Sequence, residues 1–576
     1  MKKALVALDT DHIKEYVFGT SKLKEIRGAS SLLDYLNRIV MKERARSGSF
    51  DERCVIYANG GSGLFLIDAD KVDEFGKAVQ KAFRDVTGGG ASITYVVQEL
   101  PPDAPDDIDD ILNYPLADTL ALMRYRLREA KDCPPEVIAL PSHPFMRLCD
   151  ACGIEYANPD PKNEEVPRDP GEEDELYCTS CQNKRIRDNE VKGFIPGIER
   201  GHHTPDREYL WDHVISALRN EGYFRSFEKN LPERPHDFNA FQNFRGAKDY
   251  LGLIYADANR MGERVEACNT LAELKTLAGN VDKAIYEAVR IAIVKHLKIE
   301  DHIKPGKELM QDSEQPIFPF DILLLGGDDM FMVTPASVAM DVALTITTEF
   351  RRLTNEKHTL SVGVVLAPVK YPFGLSQDLA DSTLKFAKKD GAKGRGRAAD
   401  KDKYDDTRIN FVVMAGNMGH EFRKVYRSLH DKRGGVSGHK KNVDFYATLR
   451  PYDPEQLDFL LGVIRKGHEL GLGRTKLHQI REAVLNKNLT TSVADGLAVL
   501  RNWKERQRVF VVRQVYTFGD RYQSLRSDPE EPATMFPRVT FPWFADGDDM
   551  YRTPLLDFVE LYDFVAREEG DSDNKG

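Results

Sequence analysis

Phe320-Asp321-Ile322-Leu323-Leu324-Leu325-Gly326-Gly327-Asp328-Asp329-Met330-Phe331-Met332-Val333 reads as an apolar strand, a two-glycine turn carrying adjacent aspartates, and a second apolar strand. Gly-Gly takes φ > 0 at no steric cost, so the chain can reverse tightly and leave the acids at the tip. Two like charges side by side repel, and a bound divalent cation relieves that repulsion. Asp and Gly are also ordinary turn residues, so this segment alone admits a solvated turn as readily as a metal site.

The surroundings weigh on that choice. Leu251 to Ala256 is an apolar run that stops at Asp257; a long helical stretch follows from Leu271 to about Lys298. After the hairpin come a helix from about Ala336 to Arg352 and a β-rich run, Leu360 to Leu366. The same order occurs near the N-terminus. Lys3 to Leu8 stops at Asp9, and Ile26-Arg27-Gly28-Ala29-Ser30-Ser31-Leu32-Leu33 reads as a turn and a helix start. Cys54 to Tyr57 and Leu64 to Ile67 then flank Asn59-Gly60-Gly61-Ser62-Gly63, followed by a helix (Lys71 to Arg84) and a β-rich run (Ser92 to Val97). From the second hairpin glycine to the serine of the last strand the step is 31 residues in one copy (Gly61 to Ser92) and 34 in the other (Gly327 to Ser361). This is the pattern of a duplicated βαββαβ, ferredoxin-like unit.

In that topology the first strand lies antiparallel beside the third, so its end sits next to the hairpin. Asp257 is therefore expected to converge with Asp328 and Asp329, a set suited to Mg²⁺ plus substrate phosphates. The N-terminal hairpin carries Ser62 and Gly63 where the other has Asp328 and Asp329, so this copy is expected to do no metal chemistry, although its glycines could still receive a nucleotide.

Length and composition set the frame. A chain of 576 residues is too long for one core. With 41% hydrophobic and 30% charged residues it reads as an ordinary globular protein, and its longest apolar runs are far too short to span a bilayer. The apolar N-terminal stretch ends at Asp9, too early for a signal peptide. A net charge of −11 argues against a free-standing nucleic-acid binder held by bulk electrostatics, though not against RNA contact through a local patch or partner subunits. Seven cysteines without a signal peptide point to a reducing, cytoplasmic setting and to metal binding rather than disulfides.

Four of these cysteines form two Cys-x-x-Cys knuckles, Cys149/Cys152 and Cys178/Cys181, separated by 25 residues. Four thiolates suit a closed, structural Zn²⁺ site; a redox motif would not explain two copies. The intervening Asn158 to Glu175 reads as a solvated insertion, while Cys54, Cys133 and Cys268 read as buried thiols and His202 and His203 as surface residues. An amphipathic helix from Gly374 is expected to end at Lys388-Lys389-Asp390-Gly391. A basic glycine-rich loop, Ala392 to Arg397, would follow and could meet a triphosphate, although lysines and glycine also suit any helix end. From Gly416 onward the pattern turns helical, and the tail from Glu568 is polar and acidic.

Taken together, Asp257-Ala258-Asn259-Arg260-Met261-Gly262, Gly326-Gly327-Asp328-Asp329, Ala387-Lys388 before Gly391, the Arg27 to Leu33 run and the four-cysteine segment resemble the large palm-domain subunit of type III CRISPR effector complexes (the Cas ten, Cmr/Csm-type family). The resemblance implies an α+β protein with two ferredoxin-like palm domains, a zinc-binding segment between them and an α-helical C-terminal domain. The expected bounds are residues 1–135 for the first palm, 136–245 for the zinc-binding and linker region, 246–415 for the second palm and 416–576 for the helical domain. It implies that the second palm converts ATP to cyclic oligoadenylate when the complex binds target RNA. Asp257 and Asp328, with the carbonyl of Ala258, would bind two Mg²⁺ or Mn²⁺ ions, and Asp329 would support or join them. Ala258, Asn259, Gly326, Gly327 and Lys388 would contact nucleotide, Lys388 at the triphosphate, and a second ATP would lie near Ser30 and Gly61. The implied partners are ATP, other effector subunits, guide RNA and target RNA, with no membrane. Many family members begin with an HD nuclease domain; this chain starts at the first palm, and His236-Asp237 and His430-Asp431 lack a metal-ligand pattern, so no DNA nuclease activity is expected. The competing readings are a stand-alone dinucleotide cyclase and a catalytically silent scaffold of the ribonucleoprotein.

Overall fold

The computed structural model describes residues 2–46, 51–132, 145–158, 166–168, 171–191, 210–223, 232–244, 249–302, 317–398, 404–414, 421–433, 443–486, 489–516, 541–546 and 550–566. The N-terminal unit runs β1 (Lys3–Asp11), α1 (Ile13–Phe18), α2 (Leu23–Tyr35), β2 (Val55–Asn59), β3 (Ser62–Asp68), α3 (Val72–Thr87), β4 (Ser92–Glu99) and α4 (Ala117–Asp132). Its sheet has the order β2-β3-β1-β4. The helix α5 (Thr179–Val191) leaves the four-cysteine segment. The second unit runs β5 (Tyr250–Ala258), α6 (Leu271–His296), β6 (Asp321–Gly326), β7 (Asp329–Pro335), α7 (Ala339–Leu353), β8 (Leu360–Pro368), α8 (Phe373–Arg397) and β9 (Ile409–Val413). Its sheet order is β6-β7-β5-β8-β9, the same arrangement with one parallel strand added at the edge.

The elements follow from local chemistry. Thr270 and Glu273 cap α6 reciprocally, which fixes where that helix begins. Alternate residues of β5 to β8 divide between two cores, as a period of two requires. Ile254, Met332 and Val364 pack with α6 and α7, whereas Leu253, Tyr255, Phe331 and Val365 join α8 and the interior of the N-terminal unit. The strands of this sheet are thus covered on both faces, which explains their near-continuous apolar sequence.

Four expectations are corrected. Arg27 to Leu33 is not a helix start: it lies inside α2, because Gly28 lets α2 press against α5, where a Cβ would stand 1.8 Å from the carbonyl oxygen of Lys184. Ala392 to Arg397 is not a loop but the last turns of α8. Gly391 and Gly394 sit where the chain returns across the helix, with Cβ positions 2.3 Å from the Asp406 carbonyl and 2.0 Å from the Tyr404 hydroxyl. The insertion between the cysteine pairs is not simply solvated, since Glu172 accepts from Lys22 at 2.8 Å and from Arg185 at 2.6 Å. The C-terminal part is mostly helical, with helices Pro454–Glu469, Arg474–Leu485 and Leu489–Arg501, but it also holds a small sheet ordered β10 (His430–Arg433), β11 (Val443–Tyr446), β13 (Met550–Arg552) and β12 (Phe544–Ala545). Strands of two to four residues carry too short an alternation to be read from sequence. Among the described residues no helix is long and apolar enough to cross a membrane. Cys133, His202, His203 and the acidic tail lie outside the described residues.

Candidate active site

β5 delivers Asp257 and the β6–β7 hairpin delivers the other acids. Gly326 pairs with Asp329, so the turn is Gly327-Asp328; Gly327 takes φ +64°, which a side chain would resist. Asp257 is the cross-strand partner of Asp329 on one side and of Ser361 on the other. The backbone N–H of Ala258 donates to the carbonyl of Asp328 at 3.1 Å, tying the hairpin tip to the end of β5. The expected convergence of Asp257, Asp328 and Asp329 is therefore present.

Lys388 closes the group. From α8 its Nζ donates to Asp257 Oδ2 (2.6 Å) and to the carbonyl oxygen of Ala258 (3.0 Å). Burial, followed by the charge of Asp257, pushes the Asp328 carboxyl up to about 6. Burial and the charges of Asp257 and Asp328 push Asp329 up to about 8, against the opposing pull of Lys14 and Lys388. These all-oxygen donors fit hard divalent cations such as Mg²⁺ or Mn²⁺, and their mutual repulsion is what such an ion would relieve. Asn259 is placed differently from a ligand-facing group: it is buried, and its amide donates to Thr359 Oγ1 (3.1 Å) and the Asp406 carbonyl (3.2 Å).

Lys14 comes from the N-terminal unit. Its Nζ donates to Asp381 Oδ1 at 2.9 Å and lies 5.0 Å from the ring centre of Tyr255, two residues before Asp257. The sequence reading missed it, because nothing local marks a lysine in a short helix as facing a site built by another unit.

The N-terminal hairpin is a near copy set one residue differently from the sequence alignment. Its turn is Gly60-Gly61, and Asp9 pairs with Ser62 and Thr94. Ser62 thus stands where Asp329 stands, and Gly61 where Asp328 stands. In this register the step from hairpin glycine to last strand is 34 residues in both units, Gly60 to Thr94 and Gly327 to Ser361. Lys131 of α4 repeats Lys388: its Nζ donates to Asp9 Oδ2 (2.5 Å) and the Thr10 carbonyl (3.1 Å), with Asp11 3.6 Å away. The signal was available as Ala130-Lys131 echoing Ala387-Lys388. Of the two residues expected at a second nucleotide, Gly61 accepts from the N–H and hydroxyl of Thr10 (2.8 and 2.6 Å), while Ser30 is buried within α2. No described hydrogen bond joins Ser30 to the hairpin.

The four cysteines form a second site. Cys149, Cys152, Cys178 and Cys181 bring their Sγ atoms within 4.8 Å of one another, the one such cluster of metal donors among the described residues. Cys152 and Cys178 are 3.9 Å apart, close to the ~3.8 Å that tetrahedral geometry at a Zn–S bond of about 2.3 Å requires. The cluster could hold a metal such as zinc. His430 instead pairs with Asp444 at 2.6 Å across β10 and β11, and His236 lies 3.7 Å from Glu233.

Comparison with known proteins gives one family match: residues 250–397 match the family model for Cas10/Cmr2, second palm domain. The matched stretch runs from β5 through α8. No curated protein matches. Among solved structures, the chain is similar to Csm1 in T. onnurineus (15% identity, 98% of this chain and 70% of that chain, TM-score 0.49). It is also similar to Csm1–Csm4 cassettes in complex with pppApApA (13% identity, 88% and 64%, TM-score 0.48) and with cA4 (14% identity, 86% and 64%, TM-score 0.46). The chain spans less than two-thirds of the length of those two cassette chains.

Proposed function

We propose that this chain is the large, Cas10-type subunit of a type III CRISPR complex, and that its second palm converts ATP to cyclic oligoadenylate on target RNA binding. The observation that carries the reading is the convergence of Asp257, Asp328 and Asp329 beneath Lys388, inside the stretch matched to the second-palm family. The assigned organisation is a first palm over residues 1–135, a zinc-binding region over 136–245, the second palm over 246–415 and a mostly helical domain over 416–576.

Asp257, Asp328 and the Ala258 carbonyl would hold two Mg²⁺ or Mn²⁺ ions, with Asp329 supporting or joining them. Such ions, when bound, lower the pKa of the attacking 3′-hydroxyl and neutralise the pyrophosphate leaving group. Lys388 holds the Asp257 carboxylate in place through its hydrogen bond, and its third N–H is the one that could turn to a triphosphate. Ser30 and Gly61 are the residues assigned to the second ATP, with Lys131 as the counterpart of Lys388 in that unit. Zn²⁺ on the four cysteines would be structural. Other effector subunits, guide RNA and target RNA are the assigned partners.

The test is incubation of the purified chain with labelled ATP and Mg²⁺, alone and within its complex with and without target RNA. Product is expected only with target RNA bound, and Asp328→Ala is expected to abolish it. Equal product from Asp328→Ala would overturn the reading, and product without any RNA would favour a stand-alone cyclase.

A further inference from the structure

The hairpin that carries Asp328 and Asp329 is held by residues that are not themselves candidates for metal or nucleotide contact. The N–H of Gly327 donates to Oδ1 of Asp282, on α6, at 3.1 Å. The same carboxylate takes both arms of a guanidinium from the N-terminal unit: Arg38 Nη1 donates to Oδ2 at 3.1 Å and Nη2 to Oδ1 at 3.0 Å. Arg38 is fixed in turn, with Nε on Asp34 at 2.7 Å and Nη2 also on the hydroxyl of Tyr286 at 3.1 Å. Tyr286, one turn beyond Asp282, donates to the Leu325 carbonyl at 3.4 Å. Both charged side chains are mostly shielded from solvent, at 16% and 17% exposure, where a bidentate pair is stronger and more directional than on an open surface.

A steric contact reinforces this. Gly60 of the N-terminal hairpin lies against Gly327, so that a Cβ on either would stand 3.1 Å from the other's Cα. One carboxylate thus serves as acceptor for the tip of the metal hairpin and as anchor for the N-terminal unit, and the two hairpins touch at the same place.

We propose that Asp282 and Arg38 are positioning residues for the Gly327-Asp328 turn, through which the N-terminal unit sets the placement of the metal-binding acids in the second. The proposal rests on the catalytic reading of Asp257, Asp328 and Asp329. A hairpin tip moved by a fraction of an ångström changes where Asp328 stands relative to Asp257, while Lys388, the residue assigned to the triphosphate, stays where α8 holds it.

The experiment uses the full chain with Mn²⁺ as probe, binding being read by electron paramagnetic resonance, and with ATP turnover in the target-bound complex. Asp282→Ala and Arg38→Gln are expected to lower kcat on the order of tenfold to a hundredfold and to weaken Mn²⁺ binding about tenfold, with KM for ATP within about threefold. Asp282→Asn, which keeps an oxygen for the Gly327 amide, should recover part of both. The charge swap Arg38→Asp with Asp282→Arg rebuilds an ion pair but offers Gly327 no acceptor, so it should melt near the wild type yet stay impaired. Wild-type Mn²⁺ affinity and kcat in Asp282→Ala and Arg38→Gln, or full recovery in the charge swap, would overturn the proposal. Mn²⁺ binding decides the matter even where turnover is low. Asp328→Ala alongside separates the two claims: wild-type Mn²⁺ affinity in that variant would instead remove the metal-site reading, and the proposal with it.

Discussion

Asp329 faces Asp257 across the β5–β7 pair, with Asp328 beside it at the turn, so a negative charge on any one raises the cost of the others. The sign of the resulting pH dependence follows from the direction of the shifts. Both hairpin carboxyls are pushed above the ordinary range, so without a divalent ion the folded chain binds protons there more tightly than the unfolded chain does. Their contribution to stability is complete below about pH 4 and is lost as pH rises through about 6 and 8. In EDTA, Asp329→Asn should therefore melt higher than the wild type at pH 8, by the roughly 2–4 °C that ~1 kcal/mol is worth in a domain of this size, and should match it at pH 4. Mg²⁺ should raise the wild-type melting temperature at pH 8 by more than it raises that of Asp329→Asn, in which less repulsion is left to relieve. A variant that melts lower than the wild type at pH 8 would show that Asp329 is held by attraction rather than strained by repulsion.

At the scale of elements, glycines separate the positions where two segments touch from those where they do not. At Gly28 an added Cβ meets the backbone of α5 at 1.8 Å, whereas at Gly462, inside the helix Pro454–Glu469, it meets nothing within 4 Å. Gly28→Ala should cost ~3 kcal/mol or more, because a backbone carbonyl cannot rotate away; Gly462→Ala should stabilise by about 0.5–1 kcal/mol through the lost freedom of the unfolded chain. Urea unfolding of the two variants beside the wild type measures both, and equal effects would contradict the packing of α2 on α5. The same distinction explains what the sequence could and could not reveal. Strands β1 to β3 and β5 to β7 were legible because each is an apolar run with Asp or Gly at an end, and the Gly-rich turns announced both hairpins. What failed was inference from glycine alone: Gly28, Gly391 and Gly394 serve close approach within or against helices, yet they read as turn and loop. Ser62 and Gly63 were set against the two aspartates because a local match of Gly-Gly cannot see which residue pairs across the strands. Convergence of Asp257 with the hairpin needed only topology and was foreseen. Lys14, Arg38 and Asp282 needed the packing of one unit on another, which no local pattern encodes.

At the scale of the whole molecule, four buried charges join the N-terminal unit, the cysteine segment and the second unit. Arg27 of α2 donates to both oxygens of Asp188 on α5 (2.7 and 2.9 Å) and lies 3.2 Å from Asp321, the first residue of β6; Arg234 also donates to Asp321. Arg27 and Asp321 have no exposed side-chain surface, and Asp188 and Arg234 only 2% and 5%. The set is neutral, two cations against two anions, and that balance rather than any single pair is what permits burial. Cys178 and Cys181 flank the start of α5, so the cysteine cluster fixes one end of the helix that supplies Asp188, while β6 runs from Asp321 to the glycine before the turn that carries Asp328. Removing Asp188 alone leaves two buried guanidiniums on one carboxylate, and Asp188→Ala should cost ~3–5 kcal/mol. Removing the matched pair leaves Arg234 with Asp321, still neutral. Arg27→Met with Asp188→Leu should therefore be less destabilised than either single replacement, a coupling opposite in sign to two independent losses. Denaturant midpoints of the two single variants and the double measure it; additive losses would mean that the three parts are joined by separate contacts rather than through one balanced cluster.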